Sequence, residues 1–427
     1  MTAYETVNFF TDPGLVEDPY PYYEYLRAQG PVCPVAGSGV VAVTGYDELV
    51  SVYRDSDTFS AINSSSGPFP LPFDPVGDDI SKLIDTHREQ FPMNEHLVSF
   101  DPPTHTAHRA LLAGLFTPKR LKENEEFMWD VADRLIDDFI ADGHVEFVAS
   151  YGQPFPLLVI ADLLGVPEYD HAMFRALLAG TGPTQEQPWA KTSNDGSLDL
   201  NPLAYLDNWF TAYISERRQT PTPDILTELA TQRFPDGALP EVVEVVRVAT
   251  FLFIAGHETT ARLLTSALQV LAEKPELQNH LRANRQLIPN FVEEMLRIES
   301  PIKSDFRLAR KKTELAGVDI PAGTKIMLLP GAANRDPEHF ECPSQLRVER
   351  SNARQNVAFA RGAHSCPGGP LARIEARVTI ERILDRLSDI RLDESYHGPP
   401  ESRRFDYVPL WILRGLSELH LDFAARP

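Results

Sequence analysis

Cysteine is nearly absent: three occur in 427 residues, Cys33, Cys342 and Cys366, widely separated and without a C-x-x-C pair. They exclude a multi-bridge disulfide framework and a four-thiolate metal site, and they fit a reducing cytoplasm. Long apolar runs are missing as well, since no stretch of ~18 uncharged apolar residues occurs. The opening Met1-Thr2-Ala3-Tyr4-Glu5 has neither a basic nor an apolar leader character. The expectation is a cytoplasmic protein that is not anchored in a membrane. Positive charge is scarce, 40 Lys and Arg against 61 Asp and Glu, for a net charge of −21. That balance repels phosphate backbones and argues against nucleic-acid binding. No Gly/Ser linker interrupts the chain, so one domain over residues 1–427 is expected, with ample material for a core.

Against this background one stretch stands out, Phe359-Ala360-Arg361-Gly362-Ala363-His364-Ser365-Cys366-Pro367-Gly368-Gly369. Glycines on both sides of Cys366 let the backbone bend around a thiolate, and free amides in such a turn can hold the sulfur ionised. A lone axial thiolate suits haem iron. A buried structural cysteine, the commonest fate of a free Cys, explains the turn equally well when it is read alone.

The rest of the chain alternates helical patterns with short extended ones. Helices are expected over Pro19–Arg27, Asp47–Tyr53, Thr104–Phe116 with Thr104 as N-cap, and Lys119–Asp142. β-rich portions fall at about 31–45, 302–330 and 388–423, the last containing a hairpin over Phe405–Phe423. The segment from Phe59 to Phe100 is either a lid over an apolar pocket or a satellite cluster on the core. A flap is expected over Thr181–Asn201, above Phe174, Leu177, Leu178 and Trp189. The longest helical pattern, Pro240 to Lys274, would be about 50 Å long at 1.5 Å per residue. In its middle stand Ala255-Gly256-His257-Glu258-Thr259-Thr260, polar residues in an element that should be buried. Such local inconsistency concentrates at functional sites. Gly256 permits close approach, and Thr259 can bond back to the carbonyl of Ala255 and open the helix to water. His257 is given no role. Between Arg347 and Arg386, eight arginines face four carboxylates in a chain that is otherwise acidic. A solvated helix face or a docking surface for an acidic partner would both account for this.

Phe359, Gly362, Cys366 and Gly368 together spell F-x-x-G-x-x-x-C-x-G, which resembles the haem-ligand signature of the cytochrome P450 family. Ala360 departs from the glycine frequent at its position. Four further segments are similar to the same family in the same order: Asp101-Pro102-Pro103-Thr104-His105 with Arg109, Ala255 to Thr260, Glu294-Met295-Leu296-Arg297, and Arg307 with the Asn334-Arg335-Asp336-Pro337 turn. The resemblance implies a mainly α cytochrome P450 fold, a large triangular helical region with a smaller β region, binding haem b. It makes Cys366 the iron ligand and puts His105, Arg109, Ala255, Arg307, Phe359, His364 and Gly368 around the haem, the first two with Arg307 and His364 on its propionates; His108 lies on another face. Glu258 and Thr259 become an acid–alcohol proton relay. Phe251, Ile254, Ala255, Ile302, Ser304, Trp411 and Ile412 would border the substrate, with Val408 and Leu410 nearby. Glu294 and Arg297 form a structural ion pair whose third partner is read as Gln345.

The implied activity is a monooxygenase placing one oxygen atom of O2 into a small or medium apolar substrate such as a terpenoid or steroid. Electrons would come from NAD(P)H through a ferredoxin docking on the basic face near Arg373 and Arg377, and a monomer is expected. A haem protein that binds a ligand without turnover, a peroxide-driven variant, and a haem-free hydrolase or lyase using Glu258 are the competing readings.

Overall fold

The computed structural model describes residues 4–171, 200, 201 and 203–426. The expected flap over Thr181–Asn201, with Phe174, Leu177, Leu178 and Trp189, lies outside the described residues except for Leu200 and Asn201. Proline and glycine set many of the boundaries. Helix α1 (Tyr20–Gln29) carries Pro21 in its first turn and stops at Gly30, whose φ of 142° few other residues adopt. Strands β1 (Val32–Val35) and β2 (Val40–Val43) pair antiparallel with Val32 opposite Val43. Helix α2 (Tyr46–Arg54) and the short β3 (Phe59–Ser60) follow.

Helix α3 (Thr104–Ala110) is shorter than its sequence pattern suggested, and its N-cap is Pro103 rather than Thr104. Beyond Ala110 the amides of Leu111, Leu112 and Ala113 bond three residues back, so the chain continues as tighter turns to the neighbourhood of Phe116. Helix α4 (Pro118–Asp137) is capped by Thr117, whose Oγ1 accepts from the Arg120 amide at 3.3 Å. It buries Val131, Leu135 and Ile136. Strand β4 (His144–Glu146), helix α5 (Pro154–Leu164) and helix α6 (Ala204–Gln219) lead to α7 (Val242–Glu273).

Helix α7 is 32 residues long and opens with a capping box in which the Glu241 amide donates to Glu244 Oε2 at 2.7 Å. It is buried along most of its length, so Ala255–Thr260 do sit in the interior of the helical region. Helix α8 (Ile288–Ile298) precedes strands β5 (Asp305–Ala309), β6 (Thr313–Leu315), β7 (Val318–Ile320) and β8 (Lys325–Leu328). Helix α9 (Gly369–Arg386) leaves the glycine turn with Pro370 in its first turn, and β9 (Leu387–Leu392) and β10 (His420–Ala425) close the chain.

The strands form a five-stranded sheet in the order β1-β2-β8-β5-β3, a three-stranded sheet β4-β10-β9 and the pair β6-β7. Only β2 and β8 run parallel. The carboxyl-terminal hairpin is corrected in part: β10 is sandwiched between β4 and β9, while the segment before it folds back on itself at the bridge Tyr407 to Leu416, flanked by Val408 N to Gly415 O and Ser417 N to Asp406 O, and Leu413 bridges to Ile302. Leu421 and Phe423 earn that place by packing into the helical core with Phe139. The main apolar core joins α4, α5, α7, α8, α9 and the three-stranded sheet, and a second cluster lies where α1 packs on the five-stranded sheet. Among the described residues no helix is long and apolar enough to cross a membrane.

Candidate active site

The glycine turn folds as a hairpin-like loop. The Cys366 amide donates to Phe359 O at 2.9 Å, and the Ser365 amide to Gly362 O at 3.1 Å. Gly362 has φ 69°, and a Cβ there would meet Tyr53 O at 2.3 Å, so α2 presses directly on the turn. Ala360 sits at φ 53°, in the left-handed region where a glycine would avoid a Cβ penalty of about 1 kcal/mol. The departure at Ala360 therefore leaves the loop's geometry in place at a small conformational cost. Cys366 is exposed where it lines a cavity. Burial pushes the thiol up, while the amides of Gly368 and Gly369 and the cations Arg109 and Arg373 favour the thiolate.

The cavity, about 330 Å³, runs from Cys366 and Gly368 across α7 to Phe251 and Ile254. Ala255, Glu258, Thr259, Ile302, Ser304, Phe359, His364 and Ile412 also line it, as the sequence suggested. Trp411 does not: its ring lies edge-on to Phe306 at 5.4 Å and against Gly67, and only its carbonyl points inward, accepting from Ser304 Oγ at 2.8 Å. Val408 and Leu410 are likewise absent from the wall, which the chain reaches at Ile412 and Leu413. The long segment after Phe59 combines both readings made of it. Leu71, Phe73 and Phe91 cluster with Ile80 and Leu308 away from the cavity, whereas Ser64, Ser65, Met93 and Val98 face it. Those four residues follow no periodicity and were not identifiable beforehand.

Of the four nitrogen-bearing side chains singled out in the sequence, His364 lines the cavity, whereas His105, Arg109 and Arg307 are not among its lining residues. His105 and His364 have ring centroids 4.1 Å apart, and the Nε2 atom of each is buried without a hydrogen bond. Burial, then neighbouring arginines, push His105 down to about 4 and His364 down to about 2, so both are neutral and offer an N–H near pH 7. Arg109 has no carboxylate partner among the described residues, and Arg307 Nη1 meets Asp305 Oδ1 at 3.0 Å. Two imidazoles, each with an unbonded Nε2, and two guanidiniums, near an apolar slot with a thiol at its wall, suit a flat apolar group carrying carboxylates. His108 is turned away and meets Glu244 at 3.3 Å.

On α7, Thr259 Oγ1 donates to the carbonyl of Ala255 at 2.9 Å, as expected, yet the helix runs on without interruption. Gly256 does allow close approach, since a Cβ there would lie 3.2 Å from Ile160 of α5. Glu258 is raised by burial and partly drawn back by Arg262, 3.5 Å away on the same face.

Behind the turn, Glu294 and Arg297 form a two-pronged ion pair at 2.6 and 3.0 Å with no exposed side-chain surface. The third partner is Arg350, not Gln345: Arg350 Nε lies 3.0 Å from Glu294 Oε1. Gln345 contributes its carbonyl to Arg297, while its side chain reaches only Arg347.

The arginine-rich segment is also corrected. Arg373 pairs with Glu293 at 2.7 Å and covers the Phe359 ring at 4.6 Å, and Arg377 pairs with Glu125 at 2.5 Å. Arg382 and Arg386 meet Asp133 of α4, so most of this basic face is internally neutralised. Arg361 donates only to the carbonyls of Gln355, Asn356 and Ala360 and has no carboxylate among the described residues. Reversing Arg373 to Glu should therefore lower the melting temperature, because it sets two carboxylates together in a part-buried site. Calorimetry comparing it with Arg361→Glu, which loses hydrogen bonds to backbone carbonyls but sets no two carboxylates together and should be the less destabilised of the two, checks this.

Residues 225–394 match the family model described as Cytochrome P450. The chain is 34% identical over 401 residues to Cytochrome P450 144 of Mycobacterium tuberculosis, covering 91% of this chain and 87% of that protein. Among solved structures, the substrate-free cytochrome P450 CYP150A6 of Mycobacterium marinum superposes with a TM-score of 0.93 at 55% identity, covering all of both chains. CYP109E1 of Bacillus megaterium in complex with corticosterone superposes with a TM-score of 0.78 at 27% identity, over 95% of this chain and 98% of that one.

Proposed function

The chain belongs to the cytochrome P450 family of haem monooxygenases, and from that premise we propose that it hydroxylates a small or medium apolar substrate in the cavity between Cys366 and α7. The observation that carries the reading is a single cavity bordered by Cys366 at one wall and by Glu258 and Thr259 at the other. Haem b, when bound, supplies the oxygen chemistry and the redox centre. Cys366 is then its sulfur ligand, with Gly368 and Gly369 donating amide hydrogen bonds to the sulfur. His105, Arg109, Arg307 and His364 would hold its propionates. Glu258, whose carboxyl is raised by burial and drawn back by Arg262, would take and release protons beside the Thr259 hydroxyl, which would hand them into the cavity from its anchored position on Ala255.

Much of the wall is apolar, from Phe251, Ile254, Leu203, Met93, Ile302 and Ile412, with Ser64, Ser65 and Ser304 among the polar groups besides Glu258 and Thr259. Such a lining favours a terpenoid- or steroid-like skeleton, and the corticosterone complex of the Bacillus relative lends support to that class. Titration of the loaded protein with a steroid and terpenoid panel should give a low-to-high spin shift with members of one class; no shift from any apolar compound would remove the substrate assignment.

Thr259→Ala should keep the haem spectrum but divert electrons to hydrogen peroxide, lowering coupled product formation by about 100-fold, at the lower end of the usual contribution of a proton-transfer group. Product and peroxide measured against NADPH consumed provide the check. Electron delivery by a ferredoxin is assigned to the face around Arg361, where a free cation is available. Arg361→Glu should slow reduction at low salt while Arg377→Gln changes it little; equal rates for Arg361→Glu and the parent would move the docking face elsewhere.

A further inference from the structure

We propose that Lys303 is a positioning residue for the substrate wall: its buried side chain fastens the amino-terminal segment, residues 9–17, across the back of that wall, and its charge sets how firmly this strap is held. The inference rests on the reading of the cavity as the substrate site.

The wall is built where two extended stretches meet. Ile302 bridges to Leu413, the Lys303 amide donates to Ile412 O at 2.8 Å, and the Arg414 amide donates to Pro301 O at 2.9 Å. Successive side chains of an extended stretch take opposite faces. Ile302 and Ser304 line the cavity, and Lys303 between them does not. On the far side Lys303 Nζ donates to Leu15 O at 2.7 Å and lies 5.0 Å from the centroid of the Phe9 ring. Arg414 Nη2 donates to Glu17 O at 2.8 Å. Leu15 and Glu17 belong to the single helical turn Gly14–Glu17, so two cations of the wall hold carbonyls of one turn. Phe10 adds an edge-on contact with Trp411 at 6.2 Å.

Lys303 is only 3% exposed and has no carboxylate partner among the described residues. Arg414 and Arg335 each lie 3.8 Å from Glu299, which also accepts from the Tyr20 hydroxyl at 2.9 Å, and the Tyr23 hydroxyl donates to Lys303 O at 3.3 Å. Glu17 is exposed at the end of the strap. Glu299 is thus already shared by two guanidiniums, and the ammonium is left without a counter-charge. Burial, and then Arg414, lower Lys303 to about 8, whereas burial raises Tyr20 to about 12 and raises Tyr23 as well.

With the strap detached, the ammonium is in water and keeps its ordinary value of about 10.4. The attached state gives up the proton more readily, so attachment is weakest below pH 8 and strengthens as the pH rises from 8 towards about 10.4. The neutral amine still has a hydrogen to donate to Leu15 O. Between pH 7 and 9 detachment should become about tenfold rarer.

Hydrogen exchange on the haem-loaded protein, read by mass spectrometry and corrected for the intrinsic rate, tests this without any substrate. In the parent, peptides covering residues 9–17 and the wall at 301–305 and 410–416 should gain about tenfold protection from pH 7 to pH 9. Lys303→Met, neutral at both, should lose that pH dependence. Lys303→Arg, charged at both, should stay as loose at pH 9 as the parent at pH 7, and it serves alone should Lys303→Met not fold. Coupling to the cavity is read with 4-phenylimidazole at ten times its dissociation constant, which at pH 7 should protect residues 9–17 by about tenfold. Protection of the strap that is flat with pH in the parent, a pH dependence retained in Lys303→Met or Lys303→Arg, or a strap indifferent to bound 4-phenylimidazole would each overturn the proposal. Failure of the cavity reading itself shows separately, as a missing thiolate signature in the reduced carbon-monoxide spectrum.

Discussion

Replacing Cys366 by alanine should leave a folded protein that no longer shows the thiolate signature in its reduced carbon-monoxide spectrum and forms no product. The sulfur opens onto the cavity and makes no contribution to the apolar core, so its removal should cost no more than ~1 kcal/mol of stability, the typical effect of a single substitution. Loss of the spectrum with an unchanged melting curve then reports ligation and not unfolding. The other two cysteines act as controls. Cys33 is buried on β1, its thiol donating to Leu26 O at 3.5 Å and pushed up to about 11 by burial. Cys342 is exposed and remote from the cavity wall. Cys33→Ala and Cys342→Ala should retain the thiolate spectrum in full. A thiolate signature persisting in Cys366→Ala would overturn the ligand assignment and, with it, every role built upon that sulfur.

Local chemistry made the ligand turn and the middle of α7 legible in the sequence. The turn's own hydrogen bonds, Cys366 N to Phe359 O and Ser365 N to Gly362 O, close within a few residues, and Thr259 finds its acceptor one helical turn back. The misreadings share a different origin. Arg377 and Glu125 are separated by 252 positions, and Arg386 and Asp133 by 253, so a basic stretch in sequence becomes a neutral face once α4 packs on α9. Trp411 is one residue from the cavity wall, but the notch left by Gly67 takes its ring instead. Strand β10 has its partners on β4 and β9, pairings that no turn chemistry signals. Ser64, Ser65, Met93 and Val98 reach the cavity from irregular backbone, where neither helical nor strand periodicity marks which side chains face inward.

Arg350 is the residue whose importance only the fold reveals, and Arg350→Met should destabilise the protein by about 3–5 kcal/mol. Glu294 is fully buried, and its Oε1 is shared between Arg297 at 2.6 Å and Arg350 at 3.0 Å. Removing one cation leaves buried charge under-compensated. Against a total stability of about 5–15 kcal/mol this is a large fraction, and it should lower the melting temperature by roughly 3–6 °C. The effect should also reach the haem-ligand turn by a traceable route. Arg297 donates to Asn334 O at 2.9 Å, Asn334 Oδ1 accepts from the Val357 amide at 2.7 Å, and two residues later Phe359 O receives the Cys366 amide. Arg350→Met should therefore lose haem at temperatures where the parent retains it. Gln345→Ala, which removes a side chain bonded only to Arg347, should stay within ~0.5 kcal/mol of the parent. A double-mutant cycle between Glu294→Gln and Arg350→Met should give a coupling of about 0.5–3 kcal/mol. Additive effects, or a Gln345→Ala variant as unstable as Arg350→Met, would show that the charge on Glu294 is balanced by something other than Arg350.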